Sequence, residues 1–248
     1  MASIDIQVNG FLFDLDGTLI DSGAAVDAHW ERFALKHGFS VEEIQKSSHG
    51  VRSVDVIAKY LPELATPEHA AELEAQLPRD FADKTDPIPG AHRLVEAIVA
   101  GHQVPDAAAP GQTRTVARPL WGIVTSGTRP LASGWLKVLR LEEPDIFITA
   151  DVVKQGKPHP EGYMLGRTRM GLAGADDTVV VFEDAPAGVR AGNAAGCVTI
   201  ALCTTNSREA VAAAGATYIV KDLSSVEVVA VEVDAADRAV FTLRLQTI

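Results

Sequence analysis

The sequence is poor in cysteine and in long apolar runs. Only Cys197 and Cys203 occur among its 248 residues, and so few cysteines in a chain of this length argue against a disulfide scaffold. They flank the apolar segment 198–202, which favours buried free thiols within a strand. No apolar run reaches the length of a membrane span, and the N-terminal residues lack the basic-then-apolar pattern of a secretion signal. We therefore expect a soluble protein of the reducing cytoplasm.

Basic residues are outnumbered by acidic ones. The 22 Lys and Arg residues against 33 Asp and Glu residues give a net charge of -11. This charge argues against a general nucleic-acid binder, which needs a basic face, and against attraction to anionic membranes. A small phosphorylated substrate stays compatible with it, because local cations and a metal recognise phosphate. With 47% hydrophobic and 22% charged residues, the composition is typical of a globular protein that has a substantial core.

Two aspartates near the start, Asp14 and Asp16, stand directly after an apolar run. Segment 6–13 is predicted to be the first strand, so both carboxylates lie at the carboxyl edge of a sheet, where open α/β folds bind ligands. Two such groups stay ionised together only if a cation neutralises them or one holds a proton. Both conditions suit phosphate chemistry, with Asp14 as a nucleophile that becomes an aspartyl-phosphate and Asp16 as a general acid/base. The alternative is a surface turn, because Asp-Gly is common in loops.

The spacing of apolar residues along the rest of the chain predicts helices, strands and one long loop. From residue 24 to about 77 the spacing of apolar residues is helical. Residues 101–117 are rich in Gly, Pro and Ala with little periodicity, which predicts a long exposed loop. Elsewhere apolar strands and amphipathic helices alternate, and 226–233 and 239–246 read as a β-hairpin. The other predicted elements are strands 120–125, 146–149, 178–182, 198–202 and 218–220, and helices 91–99, 130–139, 161–170 and 187–195.

Alternating strands and helices predict an α/β fold with a doubly wound, parallel, Rossmann-like sheet. The core domain would comprise residues 1–21 and 87–248, with the C-terminal β-hairpin added at one edge. Residues 22–86 would form an inserted, all-helical cap domain. Because this insert leaves the core beside the carboxyl end of the first strand, we expect it to lie over the two aspartates as a lid.

Three further motifs follow predicted strands or stand in loops. Thr125-Ser126-Gly127 offers a hydroxyl and backbone N–H groups for phosphate oxygens, and Lys157 in a rigid Gly-Lys-Pro turn can neutralise nucleophile and phosphate charge. Glu183 and Asp184 place two more carboxylates at a strand end. The respective alternatives are a simple turn, a solvated lysine and an N-cap for the next helix. Their order along a β/α chain favours function, because the carboxyl ends of the strands meet in one crevice.

Over residues 9–222, these motifs resemble those of the haloacid dehalogenase (HAD) superfamily of phosphotransferases. Longer runs are similar to the fungal group of glycerol-1-phosphatases and 2-deoxyglucose-6-phosphate phosphatases. They are SHGVRSVD at 48–55, TSGT at 125–128, FITADVVKQGKPHP at 147–160 and VFEDAPAG at 181–188. Runs of this length are more specific than the short superfamily motifs.

The resemblance implies a catalytic role for each matching position. Asp14 would be the nucleophile. Asp16 would be the acid/base. Thr125 and Lys157 would steady the transferring phosphoryl group.

The resemblance also implies a Mg²⁺ site. Its ligands would be the other carboxylate oxygen of Asp14, the main-chain carbonyl of Asp16, and the carboxylates of Asp184 and Glu183. A hard cation with oxygen ligands is also what this residue set favours independently.

Loop 48–52 of the insert is the candidate for binding the non-phosphate end of the substrate. Gly50 permits a close turn, His49 offers two ring nitrogens, and Arg52 offers a rigid fork of donors. A helix entry with Arg52 in solvent fits the residues equally well, and the resemblance favours substrate contact. Ser126 and Gly127 are the corresponding candidates on the core side.

The predicted function is a Mg²⁺-dependent phosphatase of small sugar or polyol phosphates, either glycerol phosphate or a hexose 6-phosphate such as 2-deoxyglucose 6-phosphate. A sugar phosphomutase is the alternative, but the similar mutases that act on β-glucose 1-phosphate carry a histidine where this chain has Val26. A dehalogenase needs no metal and usually lacks the second aspartate, so Asp16 argues against it. A non-catalytic binding protein is disfavoured because every expected reactive position is filled. We expect a monomer without nucleic-acid or membrane partners.

Overall fold

The computed structural model describes residues 2–48, 51–105, 112–115, 120–234 and 238–248. The strands are β1 (Ala2–Val8), β2 (Gly10–Phe13), β3 (Ile20–Asp21), β4 (Asp86–Pro87), β5 (Gln103–Pro105), β6 (Thr113–Thr115), β7 (Trp121–Val124), β8 (Ile146–Ile148), β9 (Val179–Glu183), β10 (Val198–Leu202), β11 (Tyr218–Val220), β12 (Val226–Val233) and β13 (Ala239–Thr247). The helices are α1 (Gly23–His37), α2 (Val41–Ser48), α3 (Ser53–Tyr60), α4 (Pro67–Glu74), α5 (Gln76–Asp80), α6 (Ala91–Ala100), α7 (Arg129–Leu139), α8 (Glu161–Met170), α9 (Pro186–Ala194) and α10 (Arg208–Ala213).

The parallel part of the main sheet has the strand order β11-β10-β9-β2-β7-β8. Strands β2, β7 and β9 are buried along their whole length, as expected when helices cover both faces of a parallel sheet. The chain order reverses at β2, because β7 and β8 lie on one side of it and β9 to β11 on the other. The predicted doubly wound sheet is confirmed, and the carboxyl ends of β2, β7 and β9 meet at the switch point where such sheets bind ligands.

The helices α1 to α5 lie between β3 and β4, which pair antiparallel through Ile20↔Pro87 and Asp21↔Asp86. The chain therefore leaves the core and returns to it at one place. The insert has an apolar cluster of its own, formed by Trp30, Phe33, Ala34, Ile44, Val56, Ile57 and Ala70. The helical character that periodicity predicts for this segment agrees with the structure.

The predicted first strand, 6–13, is wrong as a single strand. Asn9 divides it: its N–H donates to the Thr178 carbonyl (2.7 Å), and its buried side chain accepts from the Thr178 N–H (3.0 Å) and donates to the Ala239 carbonyl (3.3 Å). β2 continues into the parallel sheet, whereas β1 pairs antiparallel with β13. Apolar residues run through both strands, so the pattern alone does not reveal the change of partner.

The C-terminal hairpin is confirmed. β12 and β13 pair antiparallel from Val226↔Leu245 to Val233↔Ala239, with an irregularity between Val228 and Ala230. β13 also pairs with β1, and its Thr247 reaches Val220 of β11. The hairpin therefore extends the sheet beyond β11, as expected for an edge addition.

The predicted long loop at 101–117 is wrong in part. Two short strands, β5 and β6, pair antiparallel through it. Thr113 and Thr115 are β-branched and suit a strand, and the Gln103 side chain donates to the Thr115 hydroxyl at 2.8 Å. Strands of three residues are too short to show an alternation of apolar and polar residues. The Gly, Pro and Ala residues around them therefore favoured a loop. Residues 106–111 and 116–119 lie outside the described residues.

The sequence pattern does not predict α10. Only Val211 of this short helix is buried, so it has no apolar period, and it begins with a cap in which the Ser207 hydroxyl accepts from the Ala210 N–H at 3.3 Å. Searched across the described ranges, the helices include none with the length and apolar character needed to cross a bilayer.

Candidate active site

A tight turn follows β2 and carries Asp14 and Asp16. The Leu15 carbonyl accepts from the N–H groups of Leu19 (2.9 Å) and Ile20 (3.2 Å), so the chain folds back directly after the strand. Gly17 has a φ of +84°, and a Cβ atom there would lie 2.3 Å from a carboxylate oxygen of Asp184. Glycine at this position therefore permits both the left-handed turn and its close approach to the next strand end.

That next strand end carries Glu183 and Asp184. β9 pairs directly with β2, and the Asp14 N–H donates to the Phe182 carbonyl at 3.0 Å. Hydroxyl groups of Thr18 and Thr205 donate to the Asp184 carboxylate, the first at 3.3 Å. Adjacent parallel strands therefore bring the two predicted acidic motifs together, as Asp14, Glu183 and Asp184 each offer an oxygen within 4.8 Å of the others.

Lys157 reaches this cluster from the loop after β8. Its ammonium lies 2.5 Å from Asp14 Oδ1 and 2.6 Å from Glu183 Oε1, with the side chain only 10% exposed. The lysine is therefore buried between two carboxylates, and the alternative of a solvated surface lysine is wrong.

Both carboxylate oxygens of Glu183 accept hydrogen bonds from neighbouring groups. Besides Lys157, its Oε1 accepts from the Tyr163 hydroxyl at 2.8 Å, and its Oε2 accepts from the N–H groups of Asp184 and Ala185, both at 3.1 Å. Its residue exposure is 1%. The side chain is thus fixed in position and in turn fixes the lysine.

Charge in the cluster is unbalanced, because three buried carboxylates face one ammonium. Burial raises the pKa of Asp14 well above its ordinary value, and Lys157 opposes that shift only in part. Burial likewise raises the pKa of Asp184, with the Glu183 charge adding to it. Buried anionic oxygens in excess form a site suited to a hard divalent cation. The donor set therefore fits a divalent metal ion.

Asp16 lies beside the cluster and points to a different partner. Its Oδ1 accepts from the Ser22 hydroxyl at 2.6 Å. Burial raises the pKa of Asp16, and the hydrogen bond from Ser22 lowers it in part. The two aspartates of the motif thus have separate environments, one facing a lysine and the other a neutral hydroxyl.

The Thr125-Ser126-Gly127 turn follows β7 on the other side of β2. The Thr125 hydroxyl accepts from the Gly127 N–H at 3.0 Å, which closes the turn. Thr125 and Ser126 line one cleft together with Lys157, Tyr163 and Arg52. Three residues that were predicted to bind phosphate or substrate, Thr125, Ser126 and Lys157, therefore line one cleft.

Arg52 extends from the insert toward the core. Its guanidinium pairs with Asp55 at 2.8 and 3.1 Å, and a Cβ on Gly156 would lie 3.2 Å from its Cδ atom. The arginine therefore packs on the residue next to Lys157 and lines the cleft. His49 and Gly50, predicted with it as substrate contacts, lie outside the described residues.

Sequence reasoning missed the supporting groups Ser22, Tyr163 and Thr205. Tyr163 lies in the first turn of the predicted helix 161–170, and in the structure its hydroxyl also donates to Glu183. A tyrosine one turn after the lysine loop is a weak indication at most. Each of these contacts joins segments that only the folded sheet brings together.

The buried carboxylates, the lysine and the threonine meet at the switch point of a parallel sheet, which is where α/β enzymes bind their ligands. The chain belongs to the haloacid dehalogenase-like hydrolases, whose family profile matches residues 8–196. The superfamily that the motifs predicted is therefore confirmed.

Individual proteins of this family are similar to the chain over most of its length. Glycerol-1-phosphate phosphohydrolase 1 of Saccharomyces cerevisiae is 38% identical over 231 residues, which cover 91% of this chain and 86% of that protein. 2-Deoxyglucose-6-phosphate phosphatase 2 of the same yeast is 36% identical over 227 residues, covering 88% and 89%. The crystal structure of a hydrolase from Pseudomonas syringae shares the fold, with a TM-score of 0.66, 24% identity and coverage of 87% and 94%. The resemblance to the fungal phosphatase group is confirmed.

Proposed function

We propose that the protein is a phosphomonoesterase that hydrolyses small sugar or polyol phosphates through an aspartyl-phosphate on Asp14. The observation that carries this proposal is the Lys157 ammonium, which contacts Asp14 and Glu183 within a buried carboxylate cluster. A carboxylate nucleophile can approach a phosphate dianion only where cations offset both charges. The yeast relatives, which are named as phosphatases of glycerol 1-phosphate and 2-deoxyglucose 6-phosphate, support the same reaction and substrate class.

Asp14 and Asp184 are the proposed carboxylate ligands of a Mg²⁺ ion, together with the main-chain carbonyl of Asp16. Glu183 borders the same site, but Lys157 and neighbouring donors already engage its oxygens, so we assign it first to holding the lysine. When bound, Mg²⁺ would orient the phosphate and spread its negative charge.

In the proposed reaction, Asp14 forms a bond to phosphorus as the bond to the sugar or polyol oxygen breaks, and Asp16 gives that oxygen its proton. Asp16 then takes a proton from the water that hydrolyses the aspartyl-phosphate, which frees Asp14 and releases phosphate. The raised pKa of Asp16, caused mainly by burial, suits a group that must carry a proton. Thr125 and Lys157 bind phosphate oxygens throughout.

Hydrolysis is favoured over phosphoryl transfer between sugar positions. Val26, ten residues after Asp16, occupies the position of the histidine in the similar mutases. It packs against the apolar clusters of both the core and the insert, and its side chain cannot exchange a proton. A sugar phosphomutase is the second candidate.

We further propose that residues 22–86 form a lid domain between the core segments 1–21 and 87–248. The β3–β4 pair forms the two connections of this segment. The lid loop, with His49, Gly50 and Arg52, would bind the sugar or polyol, and Ser126 and Gly127 would bind from the core. A monomeric state and a cytoplasmic location stay predictions.

Phosphate release from a panel of substrates tests the proposed function. The panel contains glycerol 1-phosphate, 2-deoxyglucose 6-phosphate and glucose 6-phosphate, each with a chelator and then with added Mg²⁺. We expect release that the chelator abolishes and Mg²⁺ restores, because the ion offsets the carboxylate charge. In parallel, NMR follows β-glucose 1-phosphate. Isomerisation without phosphate release would favour the mutase, and neither reaction with any compound would contradict both candidates.

Arg52→Ala should discriminate between substrates. We expect it to raise KM for the active sugar or polyol phosphate about 10- to 150-fold, since a charge-assisted hydrogen bond contributes roughly 1.5–3 kcal/mol. KM for p-nitrophenyl phosphate, which has no hydroxyls beyond the phosphate, should change little. Steady-state kinetics on both substrates provides the measurement, with Lys36→Ala as the control at an exposed basic residue of the insert. Equal losses on both substrates would instead indicate a structural role.

A further inference from the structure

One buried carboxylate near the site, that of Glu74, has no part in the proposed reaction. Glu74 is the last residue of α4 in the insert and is 3% exposed. Its Oε2 accepts from the backbone N–H of Thr128 at 2.6 Å. Thr128 directly follows the Thr125-Ser126-Gly127 turn, so the contact joins the insert to the end of the phosphate-binding candidate.

The contact adds to the capping of α7, whose Arg129 N–H already donates to the Asp151 carboxylate at 2.7 Å. Thr128 is the N-cap of α7, but its own side chain makes no capping hydrogen bond, and its hydroxyl has no hydrogen-bond partner among the described residues. A carboxylate at a helix N-terminus satisfies an unpaired N–H and interacts favourably with the helix dipole. Glu74 therefore performs this capping from 54 residues away in sequence.

The helix that carries Glu74 does not stabilise its negative charge. It stands at the C-terminus of α4, where the dipole disfavours negative charge, and burying a carboxylate costs free energy unless a partner compensates. Burial raises the pKa of Glu74, and the nearby charge of Asp16 raises it further, while hydrogen bonds from the Ser53 side chain and the Thr128 N–H oppose the shift. The N-terminus of α7 therefore helps to compensate the burial of this carboxylate, and Asp16 is close enough for its charge to affect the pKa of Glu74.

A second contact docks the insert on the same helix. Gly134 of α7 faces Pro78 of α5 so closely that a Cβ on Gly134 would lie 2.3 Å from the proline Cγ atom. A glycine in the middle of a helix is unfavourable by itself, and here it allows the close approach. One polar and one apolar contact therefore hold the insert against α7.

We propose that Glu74 is a positioning residue that ties the helical insert to the Thr125–Gly127 turn by capping α7, so that the insert position and the geometry of the turn are set together. The contact itself is independent of the proposed function, and only its kinetic consequence rests on that function.

Hydrogen exchange at the Thr128 amide tests the contact without substrate. In Glu74→Ala we expect this amide to exchange at least about tenfold faster than in the unaltered protein, because its acceptor is lost. Glu72→Ala, at an exposed glutamate of the same helix, should leave it unchanged. Amides of β9 serve as the internal reference for global stability. Unchanged Thr128 exchange relative to β9 in Glu74→Ala would overturn the proposal.

Kinetics tests the coupling to the turn. We expect Glu74→Ala to raise, about tenfold, both KM for the active substrate and the inhibition constant of inorganic phosphate, since both ligands bind the turn. Glu74→Gln, whose amide oxygen can still accept, should recover most of the loss. Gly134→Ala should raise the same two constants without altering any polar group.

A merely structural Glu74 would lower the unfolding midpoint in Glu74→Ala and leave both constants of the folded protein unchanged, which would overturn the coupling. If the unaltered protein hydrolyses no phosphomonoester, the proposed function fails, while the exchange experiment still decides whether the contact exists.

Discussion

The Asp14→Asn variant should lose at least about 10³-fold in phosphate release while staying folded, because an amide cannot form the acyl-phosphate bond. Lys157 directs its ammonium at the Asp14 carboxylate from 2.5 Å, so the substitution also changes a contact at the centre of the cluster. Steady-state phosphate release with Mg²⁺ measures the loss, and circular dichroism checks the fold. Asp21→Asn, at an exposed aspartate of the following strand, is the matched control.

The same variant should be more stable than the unaltered protein when a chelator is present. Burial and the charges of Glu183 and Asp184 raise the pKa of Asp14. A carboxyl whose pKa is higher in the folded than in the unfolded state lowers the free energy of unfolding as pH rises. The gain in melting temperature from Asp14→Asn should therefore be larger at pH 8 than at pH 5. Near-normal turnover would contradict the nucleophile assignment, and a lower melting temperature at pH 8 would contradict the charge argument.

Lys157→Met should lower the free energy of unfolding, in contrast to Asp14→Asn, and should also remove most of the activity. Asp14 and Glu183 would lose the cation between them, and breaking a buried ion pair from one side costs about 3–5 kcal/mol. We expect kcat to fall about 10²- to 10³-fold, since the ammonium no longer offsets charge on the transferring group. Urea unfolding and phosphate release measure the two effects.

Two further variants test whether the losses in Lys157→Met arise from the carboxylate cluster or would follow the removal of any lysine in this loop. Lys154→Met, at an exposed lysine of the same loop, should leave both quantities nearly unchanged. In the double variant Asp14→Asn/Lys157→Met, part of the lost stability should return, because one of the unpaired carboxylates is gone. A Lys157→Met protein as stable as the unaltered one would mean that the lysine does not neutralise the cluster.

The parallel core and its acidic site were predictable because they follow from local patterns and one topological rule. The predicted bounds 161–170 and 198–202 coincide with α8 and β10; Gly171 follows the helix directly, and the strand is apolar apart from Thr199. Asp14, Lys157 and Asp184 follow or lie near strand ends in sequence order, and a doubly wound sheet gathers such ends at one edge. Their convergence therefore required no knowledge of side-chain packing.

The contacts that sequence reasoning missed depend on distant partners. Asn9 ends β1 through hydrogen bonds to Thr178 and Ala239, neither of which is near it in the chain. Glu74 resembles any surface glutamate of an amphipathic helix until α7 is placed against it. Such residues acquire their role from tertiary docking, which periodicity and local propensity do not contain.

The central place of β2 in the sheet has a consequence during synthesis. This strand is translated before its neighbours β7 and β9, yet it pairs with both. At about 5–20 residues per second, roughly 10 to 30 s separate its emergence from that of β9. Throughout that interval the nascent chain carries an apolar strand with an unfilled edge, which is a binding site for a chaperone or for another nascent copy. A ribosome stalled before residue 179 would leave that edge permanently open.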